Sequence, residues 1–203
     1  MGRGGRPVTG VTEDARKQLF RAARTAKAFT DTPVGDDELR EIWELTRWGP
    51  TGGNIQPLRV LFVRGEEAVD RLVPHLSKGN ARKVRAAPAT AVLAADLDFH
   101  SRLGLIAPGS SAKQERYAAD RVLGEADARF NATLQAGYFV MAVRAVGLAA
   151  GPMGGFDGPG IDAEFFGDRN WRTILAVNIG HPAADAWQDR QPRVPEADAV
   201  HWA

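Results

Sequence analysis

The chain has 203 residues, with 26 lysines and arginines against 25 aspartates and glutamates, which gives a formal net charge of +1. This balance argues against a nucleic-acid partner or an anionic membrane surface and favours a small-molecule partner. The sequence has no cysteine, which excludes disulfides and thiolate chemistry and suits a cytoplasmic protein. Its length fits a single domain, which we place at residues 11–203, after a disordered tip at residues 1–10.

The histidines do not indicate a metal site. They lie far apart and form no H-x-x-x-H or H-E-x-x-H pair, at positions His75, His100, His181 and His201. Without cysteine, a metal would need a group of histidine and carboxylate ligands. We therefore expect no metal.

The first element in chain order is a helical pattern over residues 12–28, which carries Arg24, Thr25 and Lys27 near its end. Arginine offers paired donors to a phosphate, and threonine adds a hydroxyl, so this cluster indicates an anion site. A solvent-exposed helix end explains the same residues as an alternative.

Next, a helical stripe at residues 39–46 leads into residues 48–57, Trp-Gly-Pro-Thr-Gly-Gly-Asn-Ile-Gln-Pro, and a strand follows at residues 59–63. Two prolines and two glycines predict a shaped loop between helix and strand. Because Thr51 and Asn54 offer neutral donors and acceptors, the loop suits a flat ligand with polar edges. The alternative is an ordinary turn.

A further helical stripe at residues 69–76 ends at residues 77–80, and Asn80 and Lys83 stand three residues apart. On a helix this spacing places an amide and an ammonium on one face, where they could donate hydrogen bonds to a ring edge rich in carbonyls. An exposed helix start is the alternative. The apolar run at residues 88–95 predicts a central strand that is buried on both faces.

Residues 97–114 show no clear hydrophobic period, which predicts a long irregular excursion of the chain, that is, a loop. A long helix is predicted from about residue 117 to residue 146. The most apolar run of the chain, residues 132–150, overlaps the end of this helix and includes Gln135 and Arg144. It shows an apolar helical stripe at Leu134, Tyr138, Met141 and Ala145, so we interpret it as a core or interface helix and not as a membrane span.

A second glycine-rich loop is predicted at residues 151–158, where Gly154 and Gly155 leave backbone N–H groups open to a ligand. The last strand is predicted at residues 171–179, and Arg190 lies in the tail that follows. The sequence has no Walker loop, no G-x-S-x-G elbow and no G-x-G-x-x-G after a strand. This excludes P-loop chemistry, α/β-hydrolase chemistry and a Rossmann nicotinamide domain.

Together these segments resemble the FMN-dependent nitroreductase family, and within it the malonic semialdehyde reductases of pyrimidine degradation. The matching pieces run in order along most of the chain: Arg24-Thr25, Trp48-Gly49-Pro50-Thr51 with Asn54 and Pro57, Gly79-Asn80 with Lys83, Asn131 with Gln135, Gly151-Pro152-Met153 with Gly155-Phe156-Asp157, and Arg190 with Pro192-Arg193.

The resemblance implies an α+β, nitroreductase-like fold, in which a central and mainly antiparallel sheet is flanked by helices. It also implies an intertwined homodimer with two FMN sites at its interface. The cofactor-binding residues that it implies are Arg24, Thr25, Lys27, Pro50, Thr51, Gly52, Asn54, Asn80, Lys83, Gly154, Gly155 and Arg190.

By the same resemblance, Arg24, Thr25 and Arg190 would hold the FMN phosphate, and the loop at residues 50–54 would reach the flavin of the other subunit. Asn80 and Lys83 would face its pyrimidine edge. The backbone N–H groups of Gly154 and Gly155 would point to flavin N5.

The implied activity is reduction of a small aldehyde acid, such as malonic semialdehyde, with NAD(P)H as the hydride donor and hydride transfer through flavin N5. Arg59 and Arg102 are the candidate partners of the substrate carboxylate. A general nitroaromatic or quinone reductase, or a flavin-binding protein without turnover, is the alternative.

Overall fold

The structure is a computed structural model, described here for residues 9–203; most of the tip predicted at residues 1–10 lies outside the described residues. A four-stranded antiparallel sheet forms its centre, in the strand order β1-β2-β4-β3. The strands are β1 (Leu58–Val63), β2 (Ala89–Asp96), β3 (Ala149–Met153) and β4 (Trp171–Gly180). The prediction of a mainly antiparallel sheet is confirmed.

Helices surround this sheet. In chain order the α-helices are α1 (Glu13–Arg16), α2 (Asp36–Thr46), α3 (Glu66–Leu72), α4 (Lys78–Arg85), α5 (Leu103–Ile106), α6 (Ser111–Ala119), α7 (Arg121–Ala145), α8 (Gly158–Phe165) and α9 (Glu196–Ala199). A π-helical turn (Lys17–Arg21) continues α1, and short 3₁₀ turns lie at Gly52–Asn54, Val73–His75 and Phe99–Arg102. No helix among residues 9–203 combines the length and apolar character that crossing a bilayer requires.

The sheet is covered on both faces, which gives the α+β fold that was predicted. On one face Leu93 belongs to a core shared with α2 and with Phe139 of α7. On the other face Val92 packs in a core with Leu72 of α3 and Ile161 of α8. Every residue of β2 is buried, so the predicted central strand is confirmed. Its continuous apolar run follows from burial on both faces.

The two edges of the sheet are β1 and β3. Pro152 lies within β3, and an edge strand tolerates proline because one side of it needs no ladder hydrogen bond. The predicted glycine-rich loop at residues 151–158 is therefore wrong at its start. Residues 151–153 pair with β4, and the loop begins only at Gly154.

The N-terminal helix is shorter than its sequence pattern predicts. Helical structure ends at Arg21, so Arg24, Thr25 and Lys27 lie beyond the helix in a segment without regular secondary structure. This segment is fixed by other contacts, since Ala26 N–H donates to the carbonyl of Ala150 at 3.3 Å. A tertiary contact with β3 thus overrides the local helical preference.

The excursion at residues 97–114 is also more regular than predicted. It contains the 3₁₀ turn at 99–102, α5 and the first part of α6, each too short to show a clear period. The long helix begins at Arg121 and not near Tyr117, because the side chain of Asp120 caps it by accepting from Leu123 N–H at 3.0 Å.

Two further boundaries involve the predicted turn at residues 77–80 and the end of α7. Ser77 is the N-cap of α4, so residues 77–80 begin a helix as well as ending one. Gly147 follows α7 with a φ of 86°, the left-handed conformation of a helix C-terminus that glycine adopts at low cost.

Candidate functional site

The predicted phosphate-binding residues lie around one cavity. Arg24, Thr25, Lys27 and Arg190 all line it, and its volume is about 390 Å³. The segment that carries Arg24, Thr25 and Lys27 is held in place by a backbone hydrogen bond, in which Lys27 N–H donates to the carbonyl of Ala186 at 3.0 Å. Residues far apart in sequence are thus brought together between β3 and the C-terminal tail.

This cavity is strongly basic. Besides Arg24, Lys27 and Arg190, its lining includes Arg144 and Arg193, and Asp189 is the one carboxylate among its described lining residues. We call these five cations the basic clamp. A group of like charges with so little compensation favours a multiply charged anion.

Contacts within the clamp explain its electrostatics. The Nη2 of Arg190 donates to the carbonyls of Arg21 at 2.6 Å and Ala23 at 3.0 Å. The pKa of Arg190 lies below its usual range, because desolvation disfavours its charged form and the charges of Arg24 and Arg193 lower it further. An anion in the cavity would relieve this repulsion.

Arg144 is a clamp residue that the sequence interpretation did not assign to a site. It reaches the cavity from α7, and its Nη1 donates to the carbonyl of Leu19 at 3.0 Å. Burial lowers its pKa, and the charge of Arg190 adds to the effect. An arginine within the most apolar run of the chain was the available signal, since a charge in such a run needs a partner.

The loop at residues 50–56 is held against α7. Gly52 N–H donates to Oδ1 of Asn131 at 2.7 Å, and the hydroxyl of Tyr138 donates to the carbonyl of Pro50 at 3.2 Å. Asn54 Nδ2 donates to the carbonyl of Ile106 at 2.6 Å. Because α7 holds its backbone and α5 holds the side chain of Asn54, this stretch is a shaped loop and not a linker.

Its backbone conformation is unusual. Gly53, Asn54 and Gln56 have φ values of 60°, 57° and 43°, a left-handed region that only glycine adopts freely. The hydroxyl of Thr51 accepts from Gln56 N–H at 3.2 Å and closes the loop. Strained backbone positions of this kind persist where surrounding contacts hold them, and they concentrate at functional sites.

Asn80, Lys83 and Gly155 form a second group. Asn80 Nδ2 donates to the carbonyl of Gly155 at 3.0 Å, and Lys83 Nζ lies 3.4 Å from Oδ1 of Asn80. The predicted common face of Asn80 and Lys83 on a helix is confirmed. A Cβ atom on Gly155 would approach Asn80 Nδ2 to 2.9 Å, whereas the space beside Gly154 is open.

The basic clamp and the Asn80 group lie at opposite ends of β3. Ala26, beside the clamp, contacts Ala150 at the start of the strand, and Gly155 follows its end. Five residues of extended chain span about 16 Å. Both groups can therefore contact one elongated ligand that runs along β3.

Within one chain, the loop at residues 50–56 lies away from the path along β3 that connects the basic clamp to the Asn80 group. It leads into β1, and β1 and β3 are opposite edges of the sheet, three strand spacings or about 14 Å apart. Along α7, the contact at Asn131 is 13 residues from Arg144, about 20 Å at the rise of an α-helix. The structure thus brings together the clamp and the Asn80 group but not the loop.

Arg59 and Arg102 line another cavity, of about 550 Å³, at the β1 edge. Arg59 is already paired, with its Nη2 2.7 Å from Oδ2 of Asp96, and the two side chains are only 18% and 6% exposed. Burial lowers the pKa of Arg59, and Arg102 also lowers it, whereas Asp96 opposes the shift. Arg102 is exposed, beside apolar groups such as Trp43 and Leu105.

A search of residues 9–203 for three or more His, Asp or Glu side chains arranged to hold a metal ion finds no such group. The polar groups of the candidate site are mainly arginine, lysine, amide and backbone N–H donors, which suit an anionic organic ligand better than a cation.

The chain is similar to known proteins in both sequence and fold. Residues 20–181 match the family described as the nitroreductase family. A Streptomyces coelicolor protein named "Putative NADH dehydrogenase/NAD(P)H nitroreductase" is 51% identical over 197 residues, covering 97% of this chain and 98% of its own length.

Two solved structures share the fold. A nitroreductase from Bacillus subtilis has a TM-score of 0.81 at 20% identity, covering 95% of this chain and all of its own. A nitroreductase from Exiguobacterium sibiricum, solved in complex with FMN, has a TM-score of 0.80 at 20% identity, with coverage of 97% and 100%. From its sequence match and its fold, this chain belongs to the nitroreductase family of oxidoreductases.

Proposed function

We propose that the chain is an FMN-dependent oxidoreductase that uses NADH or NADPH to reduce a small acceptor. The observation that carries this proposal is the basic clamp, in which five cations and Thr25 surround one cavity at the end of β3. A terminal phosphate dianion matches that donor set. The FMN bound by the Exiguobacterium sibiricum protein and the nicotinamide cofactor in the name of the Streptomyces coelicolor protein support the same conclusion.

In this proposal, the residues along β3 would contact the cofactor from its phosphate to its ring. Arg24, Thr25 and Arg190 would hold the phosphate, with Lys27 beside them, and Asn80 would present its amide to the pyrimidine ring. Lys83 would place a positive charge where the reduced ring carries negative charge, which stabilises the reduced form. The open space beside Gly154 leaves room for a ring against the backbone. Bound FMN supplies hydride transfer at N5.

We also propose that two chains form a homodimer with shared sites. The apolar stripe of α7 lies on its less buried face, where Leu134 is 40% exposed, and nearby Phe130 is 71% exposed. Exposed apolar residues on one face of a long helix are typical of an interface. A second copy on this face would bring its loop at residues 50–54 to the flavin, which the loop cannot reach within one chain.

For the acceptor, a nitroaromatic or quinone is the first candidate, because such rings need only stacking on the flavin and an apolar wall. Malonic semialdehyde is the second candidate. It is favoured by the exposed cation Arg102 at an apolar cavity, since Arg59 is already paired with Asp96. The cytoplasmic location, the single domain and the absence of metal and nucleic-acid partners stay predictions.

The proposal is tested with the purified full-length chain. Its absorption spectrum should show bound flavin, and released cofactor should be FMN by chromatography. NADH or NADPH should be oxidised on addition of a nitroaromatic, a quinone or malonic semialdehyde. A chain that binds no flavin after incubation with FMN, and oxidises neither nucleotide, would overturn the proposal.

A further inference from the structure

Lys113 of α6 lies against the loop at residues 50–56. Its Nζ is 3.4 Å from the carbonyl oxygen of Gly52 and 5.8 Å from the ring centre of Tyr117. A Cβ atom on Gly53 would come within 1.8 Å of this Nζ. The ammonium therefore occupies space that any side chain at position 53 would take.

Lys113 as a residue is half-buried, and among residues 9–203 no carboxylate oxygen lies within 4.0 Å of its Nζ. The nearby Asp127 already accepts from the hydroxyl of Tyr117 at 2.6 Å. Arg59 differs, because it forms a salt bridge with Asp96 at 2.7 Å. A cation without a carboxylate partner can pair with an anion that approaches it.

The loop beside Lys113 is neutral, with a backbone held on both sides of Gly52. Asn131 accepts from the N–H of Gly52, and Lys113 contacts its carbonyl. The loop offers hydroxyl and amide groups but no charge. Two cations contact this loop: Lys113 at the Gly52 carbonyl, and Arg59, which donates to the carbonyl of Gln56 at 3.0 Å but is paired with Asp96.

We propose that Lys113 determines acceptor specificity by favouring acceptors that carry a carboxylate or a similar anionic group. The inference rests on the proposed function, in which the loop faces the flavin of a second copy. Lys113 would then bring a positive charge to the acceptor side of that flavin. Its role is recognition of a charge on the substrate, and it takes no part in hydride or proton transfer.

The test compares 4-nitrobenzoate with 4-nitrobenzamide, two acceptors of similar size that differ in charge. Lys113→Gln keeps a donor for the Gly52 carbonyl but removes the charge, and Lys113→Arg keeps the charge. Arg116→Gln is the matched control, because Arg116 is an exposed cation on the same helix. FMN content is measured in every variant.

We expect Lys113→Gln to lower the ratio of kcat/KM for 4-nitrobenzoate to that for 4-nitrobenzamide by about two- to fivefold, the range of an exposed charge pair. Lys113→Arg should keep the ratio, and Arg116→Gln should leave it unchanged. The dissociation constant of 4-nitrobenzoate, measured from the flavin absorbance without turnover, should rise in Lys113→Gln by a similar factor.

The role of Lys113 is overturned if the ratio of kcat/KM is unchanged in Lys113→Gln, or if it falls equally in Arg116→Gln. In either case, turnover of both acceptors would still support the proposed function. A wild-type chain that holds no FMN and reduces neither acceptor overturns the proposed function, and the role of Lys113 with it.

Discussion

Gly52 donates its backbone N–H to the side-chain oxygen of Asn131 across 2.7 Å, although 79 residues separate the two in sequence. Asn131 is 4% exposed, so the acceptor side of this part-buried bond is shielded from water, whereas Gly52 is exposed. Its Nδ2 also donates to the carbonyl of Asp127 at 2.9 Å. One buried amide thereby links the loop at residues 50–56 to α7.

Replacement of Asn131 by Ala should lower the free energy of unfolding by about 1–3 kcal/mol, because it leaves the Gly52 N–H without its partner. Urea denaturation followed by circular dichroism measures the change. Thr133→Ala is the control, since Thr133 is exposed on the same helix and bonds only to Arg129 of the preceding turn. Equal stability of Asn131→Ala and wild type would show that the bond does not hold the loop.

If the proposed dimer packs through the apolar stripe of α7, a charge introduced on that stripe should disrupt the dimer. Leu134→Lys should convert the dimer to a folded monomer of 21.9 kDa, because an ammonium in an apolar interface loses its hydration without gaining a partner. Light scattering with size-exclusion chromatography measures the mass. Ala163→Lys, at an exposed position of α8 on the other face of the sheet, should stay dimeric. A monomeric wild type that binds FMN would contradict the shared site.

Burial, helped by the hydrogen bond to Asp127, raises the pKa of Tyr117 from 10.0 to about 12. The folded state therefore keeps this proton where the unfolded state loses it. Stability from this group is complete below pH 10 and is lost as the pH rises toward 12. The chain has two tyrosines, so Tyr138→Phe leaves Tyr117 as the only one in an absorbance titration of tyrosinate.

In Tyr138→Phe we expect a single tyrosinate transition near pH 12, and Asp127→Asn should shift that transition downward. A transition near pH 10 in the folded protein would mean that the Tyr117 hydroxyl is hydrated and that its bond to Asp127 is not formed in solution.

The regular elements with strong local signals could be predicted from the sequence. The continuous apolar run of β2 is an example. The short helices α5 and α6 could not, because four to nine residues are too few for a period to stand out.

Contacts between distant residues were beyond a sequence interpretation. Lys113 meets Gly52 across 61 residues, and Arg144 meets Leu19 across 125. Such partners depend on how helices pack and not on any local pattern. For the same reason, the sequence could name Arg59 as a candidate partner of the substrate carboxylate but could not show that its guanidinium is paired with Asp96.

The most direct measurement of the central claim is the binding of FMN and riboflavin to the apoprotein by isothermal titration, in wild type and in Arg24→Ala. Riboflavin lacks the phosphate, so it reports the rest of the site. Loss of one charge-assisted hydrogen-bonding group should weaken FMN binding by about 1.5–3 kcal/mol, or roughly ten- to a hundredfold, and leave riboflavin binding unchanged. Arg40→Ala, an exposed arginine of α2 outside the clamp, should bind both as wild type does. Equal FMN affinity in Arg24→Ala and wild type would contradict the assignment of the basic clamp to the flavin phosphate.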